Sequence, residues 1–414
     1  MKTILLCCLL FAPLCFADWP GYRGPRQDGI SHETLNLDWK DHPPKVLWKV
    51  PLNTGFSSFA VGEGLALTQV VREIKGAPRE ICLALDADTG KERWAADVAV
   101  GKGYEGGETG GGPDGPRSTP AISGGRVFVL TPDLVLHALD AKSGAPLWKH
   151  DLIEKYGAEN IGWKSSASPI VEDGLVFVMG GGKDQSLLAF RQDTGEPAWK
   201  TGTEGITHAT PVLATIHGVR QVIYYCRSGL VSLDAKDGKL LWKFPCKYRA
   251  SAAASPVVEG DLVFCTAGYD TGGAVAKITR DGEGFTATEV WRTPGNKEVA
   301  SHFSTPVCKD GFLYGMFSFR GYGTGPLKCV EMATGQIRWS QPGFGQGNVI
   351  LASSKLLALA DNGDLVVVEP TPEAYKELVR IKAVEGKCWS TPAVSNGRIY
   401  VRSAQEGVCL DSSK

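Results

Sequence analysis

Short runs in which apolar and polar residues alternate recur along the chain, and they come in pairs joined by a glycine-containing turn. Each pair starts at a Ser/Thr-Pro dipeptide, as in STPAISGGRVFVL (118–130), ASPIVEDGLVFVM (167–179) and STPAVSNGRIYVR (390–402). Two such runs around a tight turn predict a β-hairpin. No segment between the pairs keeps a sustained apolar period of 3.6 residues, so the pattern favours an all-β fold.

A second phrase follows each hairpin and predicts two more strands. Examples are ALDADTGKERWAADV (84–98), LDAKSGAPLWKHDL (139–152) and SLDAKDGKLLWKFPC (232–246). The D-x-x-[ST]-G segment suits a tight turn, because Asp bonds to the backbone two residues on and Gly accepts a positive φ. The Trp after the turn then lies on an outer strand, where its ring can cover the backbone of a neighbouring sheet.

Together the two phrases make a unit of four short strands, about 42 to 54 residues long, and repetition at this period is the signature of a β-propeller. Counting units gives eight blades, of which the first six end at Trp94, Trp148, Trp199, Trp242, Trp291 and Trp339. Blade seven lacks the Gly turn and the Trp, and we assign its last strand to Leu378 to Val384. Blade eight supplies three strands, and VLWKVPL (46–52) has the pattern of the missing fourth. We therefore predict one eight-bladed β-propeller of four-stranded antiparallel blades, closed by an N-terminal strand that completes the last blade.

The first 17 residues have the features of a cleavable export signal: a lysine, a short apolar run and a small-x-small site at Cys15-Phe16-Ala17. Leu14 before Cys15 does not match a lipid-attachment site, so we expect a soluble protein of the periplasm or a secreted one. The expected division is a signal peptide at 1–17, a leader packing on the propeller at 18–45, and the propeller at 46–414.

The charge balance argues against two kinds of partner. With 44 Lys+Arg against 45 Asp+Glu the net charge is −1, which attracts neither nucleic acid nor an anionic membrane. We expect no membrane insertion.

Eight cysteines follow the signal, and they are either small buried hydrophobes or disulfide partners. If disulfides form, Cys308 with Cys329 and Cys388 with Cys409 are the expected pairs. No C-x-x-C motif is present, so we expect no zinc site.

The phrase A-x-D-x-x-[ST]-G-x-x-x-W, present as Ala84-Leu85-Asp86 to Trp94 and as Ala138-Leu139-Asp140 to Trp148, resembles the tryptophan-docking repeat of the PQQ-like, quinoprotein-type β-propellers. That superfamily includes quinoprotein alcohol dehydrogenases and the outer-membrane-protein assembly propeller. The segment DWPGYRGPRQDGIS (18–31) is similar to the leader of exported bacterial PQQ-repeat proteins. The resemblance implies the fold, but the shared motif is scaffold and does not assign a function.

An enzyme of the quinoprotein type would need a pocket for pyrroloquinoline quinone (PQQ), oxygen ligands for Ca²⁺ and a carboxylate base. The resemblance also implies adjacent cysteines under the cofactor, but the one adjacent pair, Cys7-Cys8, lies in the signal. Asp86, Asp140 and Asp234 belong to turns of the repeat. The glycine-dense segment 101–116 lacks the features of a phosphate loop and is predicted to be a flexible surface loop. We therefore predict no catalytic residue, no metal and no cofactor, with PQQ and calcium as the alternative.

The candidate functional residues form two sets. The first set lies two positions before the Ser/Thr that opens each innermost strand, and the second set lies in nearby loops. We expect both sets to surround one mouth of the axial channel. They are Phe56, Arg117, Trp163, Lys164, Ser166, His208, Tyr248, Arg249, Ala253, His302, Phe303, Gln346 and Trp389. A second candidate, a protein-contact loop in blade six, contains Phe319, Arg320 and Tyr322.

The alternative is that the axial residues only pack the channel and that the blade-six loop is only an extension of a hairpin. The sequence thus favours a non-catalytic exported propeller that binds an envelope protein or glycan, with a quinoprotein dehydrogenase as the alternative.

Overall fold

The computed structural model of the protein describes residues 18–101 and 115–413. In these segments the strands form eight sheets arranged as the blades of a propeller, which confirms the predicted fold. The predicted signal peptide and most of the predicted loop at 101–116 lie outside the described residues.

The strands have the following bounds in chain order. The leader and the closing strand contain β1 (Ile30–Ser31) and β2 (Lys45–Pro51). Blade one contains β3 (Ala60–Gly62), β4 (Leu65–Ile74), β5 (Ala77–Asp86) and β6 (Glu92–Val100), and blade two contains β7 (Ala121–Ser123), β8 (Arg126–Leu130), β9 (Val135–Asp140) and β10 (Pro146–Asp151). Blade three contains β11 (Ile170–Glu172), β12 (Leu175–Met179), β13 (Leu187–Arg191) and β14 (Pro197–Thr201), and blade four contains β15 (Val212–Ile216), β16 (Val219–Cys226), β17 (Gly229–Asp234) and β18 (Leu240–Pro245).

Blade five contains β19 (Val257–Glu259), β20 (Leu262–Ala267), β21 (Gly272–Asp281) and β22 (Gly284–Thr293), and blade six contains β23 (Val307–Lys309), β24 (Phe312–Met316), β25 (Leu327–Glu331) and β26 (Ile337–Gln341). Blade seven contains β27 (Asn348–Ala352), β28 (Lys355–Leu359), β29 (Asp364–Val368) and β30 (Glu377–Lys382), and blade eight contains β31 (Ala393–Ser395), β32 (Arg398–Arg402) and β33 (Glu406–Asp411). Among the described residues there is one short helix, α1 (Leu152–Tyr156), which Asp151 caps at its N-terminus.

The ring closes through its two ends. Strand β2 pairs antiparallel with β33, with Trp48 opposite Cys409, so it is the outermost strand of blade eight. The degenerate blade seven is also a sheet, and its last strand, β30, confirms the strand assigned near Leu378. Both outcomes follow from the repeat register, which located strands where local composition was ambiguous.

The repeated Trp and Gly form the contact between blades. The indole nitrogen Nε1 of Trp94 donates a hydrogen bond to the carbonyl oxygen of Ala141 at 2.8 Å, and Trp48 does the same to Ala87 at 2.9 Å. A Cβ atom on Gly144 would lie 2.6 Å from the Trp94 ring, so the glycine lets the indole rest on the turn of the next blade. The docking role predicted for the phrase is therefore confirmed.

One tryptophan departs from this scheme for a local reason. The Nε1 atom of Trp242 donates to Oε1 of Gln221 in its own blade, at 2.7 Å. The next blade replaces the tight turn by the long β21–β22 hairpin, whose strands pair from Gly273 with Thr293 to Asp281 with Gly284. Blade five therefore has no tight turn whose backbone carbonyl could accept the indole N–H of Trp242, as Ala141 does for Trp94.

The cysteines after residue 17 are all buried and free, as expected for small hydrophobes, and the two expected disulfides are wrong. Cys308 is on β23 and Cys329 is on β25, with β24 between them. Strands two apart are separated by roughly 9.6 Å, whereas a disulfide needs Cα atoms within about 7 Å. Cys388 lies in the segment before β31 and donates to the carbonyl of Gly386, while Cys409 lies on β33.

The leader crosses one end of the axial channel. Trp19 exchanges backbone hydrogen bonds with Val61 of blade one at 2.7 and 2.8 Å, and β1 pairs parallel with β27 of blade seven. Between them the buried Arg23 donates to the carbonyls of Thr305 and Pro306, at 2.7 and 2.8 Å. The leader therefore ties together blades that are distant in sequence.

Candidate functional site at the axial mouth

A cavity on the propeller axis is lined by residues from all eight blades. Its empty space amounts to about 920 Å³, including the part open to solvent. The lining residues are Tyr22, Phe56, Ser58, Arg117, Trp163, Ser166, Ser168, His208, Thr210, Ser251, Ala253, Tyr269, His302, Phe303, Asn348, Trp389 and Thr391. Seven of the eight residues in the aligned column meet here, and in blade seven Asn348 takes the place expected for Gln346.

Aromatic rings form a continuous arc around this mouth. The Trp389 ring stacks on Phe56 with centroids 4.7 Å apart, and it contacts Phe303 at 4.8 Å. Phe303 stacks in turn on His302 at 3.8 Å. Tyr269 continues the arc, 5.4 Å from His302 and 6.1 Å from Trp163. Rings from blades eight, one, five and six and from the loop before blade three therefore share one surface.

The blade-six loop belongs to the same surface. Tyr322 stacks on Trp389 at 5.7 Å, and Phe319 lies 4.7 Å from Tyr269. The Arg320 guanidinium lies over the rings of Tyr269 and Phe319, at 5.7 and 5.3 Å. The two candidate regions considered separately from the sequence are thus joined, and we call them together the aromatic rim.

Several rim residues have an unusual backbone conformation. Trp163, Tyr269 and Arg320 have φ values of 63°, 53° and 56°. Positive φ is uncommon outside glycine, and it is least common for bulky residues. These three side chains are therefore held in the mouth by loops whose conformation the surrounding structure imposes.

The basic residues expected at the rim divide into two groups. Arg117 donates to the carbonyl of Trp163 at 2.6 Å and so anchors that loop. Lys164 pairs with Asp133 at 2.6 Å, and the exposed Arg249 lies 3.4 Å from Asp270. Neither Lys164 nor Arg249 lines the cavity.

Three further sequence candidates pack around the cavity. Gln346 is buried and donates to Ser318 at 2.6 Å, and the hydroxyl of Tyr248 donates to the carbonyl of Ile206 at 3.1 Å. His208 is buried, with Nε2 3.1 Å from the carbonyl oxygen of Gly162 and Nδ1 2.9 Å from the Ser251 hydroxyl. Burial and the nearby Arg117 lower the pKa of His208 to about 4, so the ring is neutral at pH 7.

The Ser/Thr of the Ser/Thr-Pro pairs, and Ser58 at the equivalent position of blade one, link neighbouring blades around the axis. The backbone N–H of Ser58 donates to the hydroxyl of Thr119 at 3.0 Å, and Thr119 donates likewise to Ser168 at 2.9 Å. The same bond joins Ser168 to Thr210 and Thr391 to Ser58, both at 2.9 Å. This hydroxyl ring, which lies beneath the rim, explains why a Ser or Thr recurs at this position, and it was not predicted from the sequence.

The leader contributes Tyr22 to the wall of this cavity. Its hydroxyl lies 3.4 Å from the hydroxyl of Thr305, and the neighbouring Gly21 packs against Ala121 of blade two. Tyr22, Tyr269 and Asn348 were not identified from the sequence. None of them falls in the aligned column, but the conspicuous Gly-Tyr-Asp after β20 could have indicated Tyr269.

The donor set of the cavity does not fit a calcium–PQQ centre. The lining residues that the structure describes include neither Asp nor Glu, whereas Ca²⁺ sites in proteins normally use carboxylates. Across residues 18–101 and 115–413, no group of three or more His, Cys, Asp or Glu side chains is placed to hold a metal ion. No step of quinone chemistry follows from these residues.

The blade pattern, the docked indoles and the axial mouth define a propeller of the PQQ-like class. The model of the family described as "Outer membrane protein assembly factor BamB" matches residues 78–341, and the chain belongs to this family.

Individual relatives agree with this assignment. The chain is 25% identical over 256 residues to the outer membrane protein assembly factor BamB of Yersinia pestis, which covers 60% of this chain and 62% of that protein. It is 25% identical over 273 residues to the protein of that name from Moranella endobia, covering 64% and 67%. The match thus spans a little under two thirds of the length of the first relative. A quinohemoprotein alcohol dehydrogenase of Pseudomonas putida is 31% identical over 122 residues, which is 28% of this chain and 17% of that enzyme.

Solved structures show the same fold at low identity. The crystal structure of BamB from Moraxella catarrhalis superimposes with a TM-score of 0.61 at 15% identity, over 89% of this chain and 97% of that one. The quinohemoprotein alcohol dehydrogenase of Comamonas testosteroni gives 0.67 at 14% identity, over 96% and 81%. Within the described residues, no helix is long and apolar enough to cross a membrane.

Proposed function

We propose that this protein is a non-catalytic scaffold of the bacterial cell envelope that works in the periplasm and binds another protein through its aromatic rim. The observation that carries the proposal is the union of the axial mouth and the blade-six loop, in which Tyr322, Trp389, Phe319 and Tyr269 form one surface. Aromatic and arginine side chains are enriched at the energetic centres of protein interfaces. Membership of the assembly-factor family supports a protein partner over a small substrate.

The arrangement of Arg320 suits recognition of a protein surface. The guanidinium lies over the rings of Tyr269 and Phe319, so cation and aromatic surface are placed side by side at the mouth. The loop conformation at Trp163, Tyr269 and Arg320 fixes these groups before a partner arrives. Pre-positioned side chains lose less conformational entropy on binding, which increases affinity.

A matched pair of double variants tests the rim. Phe319→Ala with Arg320→Ala removes one cation–aromatic pair at the mouth. Phe285→Ala with Arg280→Ala removes a pair of similar geometry, 5.4 Å apart, at the β21–β22 hairpin. Immobilised protein is exposed to a solubilised envelope extract, and the bound proteins are identified by mass spectrometry.

We expect the rim variant to lose a defined set of bound proteins and the hairpin variant to retain them. Circular dichroism should show that both variants are folded. Equal capture by both variants, or capture only of glycan that survives protease treatment, would contradict a protein-binding rim. Dye-linked alcohol oxidation that depends on added quinone and is abolished by a chelator would contradict the non-catalytic role.

A further inference from the structure

Two free cysteines from neighbouring blades meet in the core between blades four and five. Cys246 directly follows β18, Cys265 lies on β20, and both belong to one buried apolar cluster. Their side chains hydrogen-bond to each other. Two thiols in contact need only a two-electron oxidant to form a disulfide.

The register of blade five leaves room for the Cys246 sulfur. Cys265, Ala274 and Arg292 lie opposite one another on β20, β21 and β22, so their side chains point to the same face of the sheet. Ala274, the smallest of the three, lies in the middle of this row. Because Cys246 contacts both Cys265 and Arg292, its sulfur lies between a thiol and a guanidinium.

Two donors besides the Cys265 thiol lie at the Cys246 sulfur. Nη1 of Arg292 donates to Sγ of Cys246 at 3.4 Å, and the hydroxyl oxygen of Tyr225 lies 3.6 Å from Sγ. Arg292 is itself held in place, because its Nη2 and Nε donate to Oε2 of Glu289 at 2.7 and 2.9 Å. The cation and the hydroxyl favour a thiolate at Cys246.

The two thiols therefore differ in protonation. The hydrogen bond from Cys265, together with Tyr225 and Arg292, lowers the pKa of Cys246 below its ordinary value despite the burial of this thiol. Burial raises the pKa of Cys265 well above its ordinary value. Cys246 is thus the nucleophile of the pair, and Cys265 keeps its proton.

The Arg292 side chain separates the Cys246 sulfur from solvent. Cys246 is 1% exposed, whereas the Arg292 side chain is 33% exposed. A small neutral oxidant can reach a sulfur that lies one side chain below the surface, but a bulky disulfide reagent would need the blades to separate. Hydrogen peroxide is small enough, and it oxidises the thiolate form of cysteine.

We propose that Cys246 is a site of oxidation by hydrogen peroxide, and that Cys265 completes the reaction by forming a disulfide between blades four and five. The Cys246 thiolate attacks one oxygen of the peroxide: an S–O bond forms, the O–O bond breaks, and the second oxygen leaves as hydroxide beside Arg292. The sulfur of Cys265 then attacks the sulfur of Cys246: an S–S bond forms, the S–O bond breaks, and the oxygen leaves as water with the Cys265 proton. The two sulfurs together lose two electrons, which the peroxide gains.

The test treats the full-length protein with an equimolar amount of hydrogen peroxide at neutral pH. The remaining thiols are blocked with N-ethylmaleimide after unfolding, and the cysteines are mapped by mass spectrometry without reduction. We expect one disulfide, between Cys246 and Cys265, which a thiol reductant reverses. Cys409 is the internal control, because it is buried beside Tyr400 and burial raises its pKa to about 12. Cys409 should be oxidised at least about tenfold more slowly than Cys246, since it holds its proton.

Variants separate the roles of the two partners. Cys265→Ser removes the second thiol, so the sulfenic acid of Cys246 should persist and react with dimedone. Arg292→Met removes the cation and keeps an unbranched chain, so the pH at which Cys246 is oxidised at half its maximal rate should rise by at least about one unit. Arg280→Met is the matched control, because Arg280 lies on the same hairpin and each of the two guanidinium groups lies 5.4 Å from a phenylalanine ring. This control should leave that pH unchanged.

Three results would overturn the proposal: oxidation of Cys246 no faster than that of Cys409, a disulfide from Cys246 to a cysteine other than Cys265, or equal pH profiles for Arg292→Met and Arg280→Met. The first two are measured on the unchanged protein, so they decide the question even if a variant fails to fold. None of these results bears on the capture of proteins by the aromatic rim, which takes no part in the oxidation.

Discussion

Replacing Gly144 by alanine tests two reasons why a glycine precedes the tryptophan at a fixed spacing in the repeats: its positive φ and the room it leaves for a docked indole. Gly144 has φ of 71°, and a Cβ atom there would lie 2.6 Å from the Trp94 ring. Gly125 in the same blade has φ of 73°, but a Cβ atom there would meet no atom within 4 Å. Alanine therefore suffers nearly the same backbone strain at both sites, and only Gly144→Ala disturbs the docked indole.

The magnitudes follow from these distances. Strain for alanine at positive φ is about 1 kcal/mol at either site. The Trp94 ring is 7% exposed and donates to Ala141, so it cannot move away without breaking the bond, and overpacking adds about 1–3 kcal/mol. Gly144→Ala should therefore lower the free energy of unfolding by about 2–4 kcal/mol, and Gly125→Ala by about 1 kcal/mol.

The assay is equilibrium urea unfolding of both variants and the unchanged protein, followed by tryptophan fluorescence and far-UV circular dichroism. Two probes are needed because a chain of this length can unfold in more than one step. Equal destabilisation by the two variants would refute the docking explanation, since it would leave φ as the only role of Gly144.

Other outcomes follow from packing and protonation. Trp148→Ala removes a ring that contacts Phe128 and donates to Gln192 at 3.2 Å, and it should cost about 3–5 kcal/mol in urea unfolding; an equally stable variant would contradict this. The pKa of His208 is about 4 in the folded protein and rises to its ordinary value of 6.5 on unfolding, so the unfolded chain binds more protons between these values. Stability should therefore fall as pH drops from 6.5 toward 4, by up to about 3 kcal/mol from this group, and His208→Gln should reduce that slope. If thermal melts of the two proteins keep the same pH slope, His208 is not the group responsible. Peptide mapping without reduction should find no link between Cys308 and Cys329, because a whole strand separates them.

The sequence predicted the features that repeat. The blade count, the closing strand and the docking role of Trp48 all follow from one register, because every repeat obeys the same packing constraint. The Ser/Thr-Pro pair was visible as a pattern but its hydrogen bonds were not. These hydrogen bonds run between blades. The spacing of residues within one repeat therefore does not predict a contact such as that between Thr391 and Ser58.

The features that do not repeat were harder to predict. Tyr269 joins the blade-six loop to the mouth, but it lies in a hairpin loop outside the aligned column. Asn348 occupies the site expected for Gln346 because blade seven lacks the Ser/Thr-Pro dipeptide that set the alignment. The expected Cys308–Cys329 disulfide is wrong because β24 lies between the strands that carry the two cysteines.

The pairing of β2 with β33 has a consequence for biogenesis. Residues 45–51 emerge early from the ribosome, yet their partner at 406–411 is made after every other blade. Until then the early strand has an unpaired edge, and the ring holds an unfilled gap beside the first blade. Final closure therefore waits until residues 406–411 have been synthesised, and a chaperone that shields an unpaired strand edge would act on residues 45–51 until then.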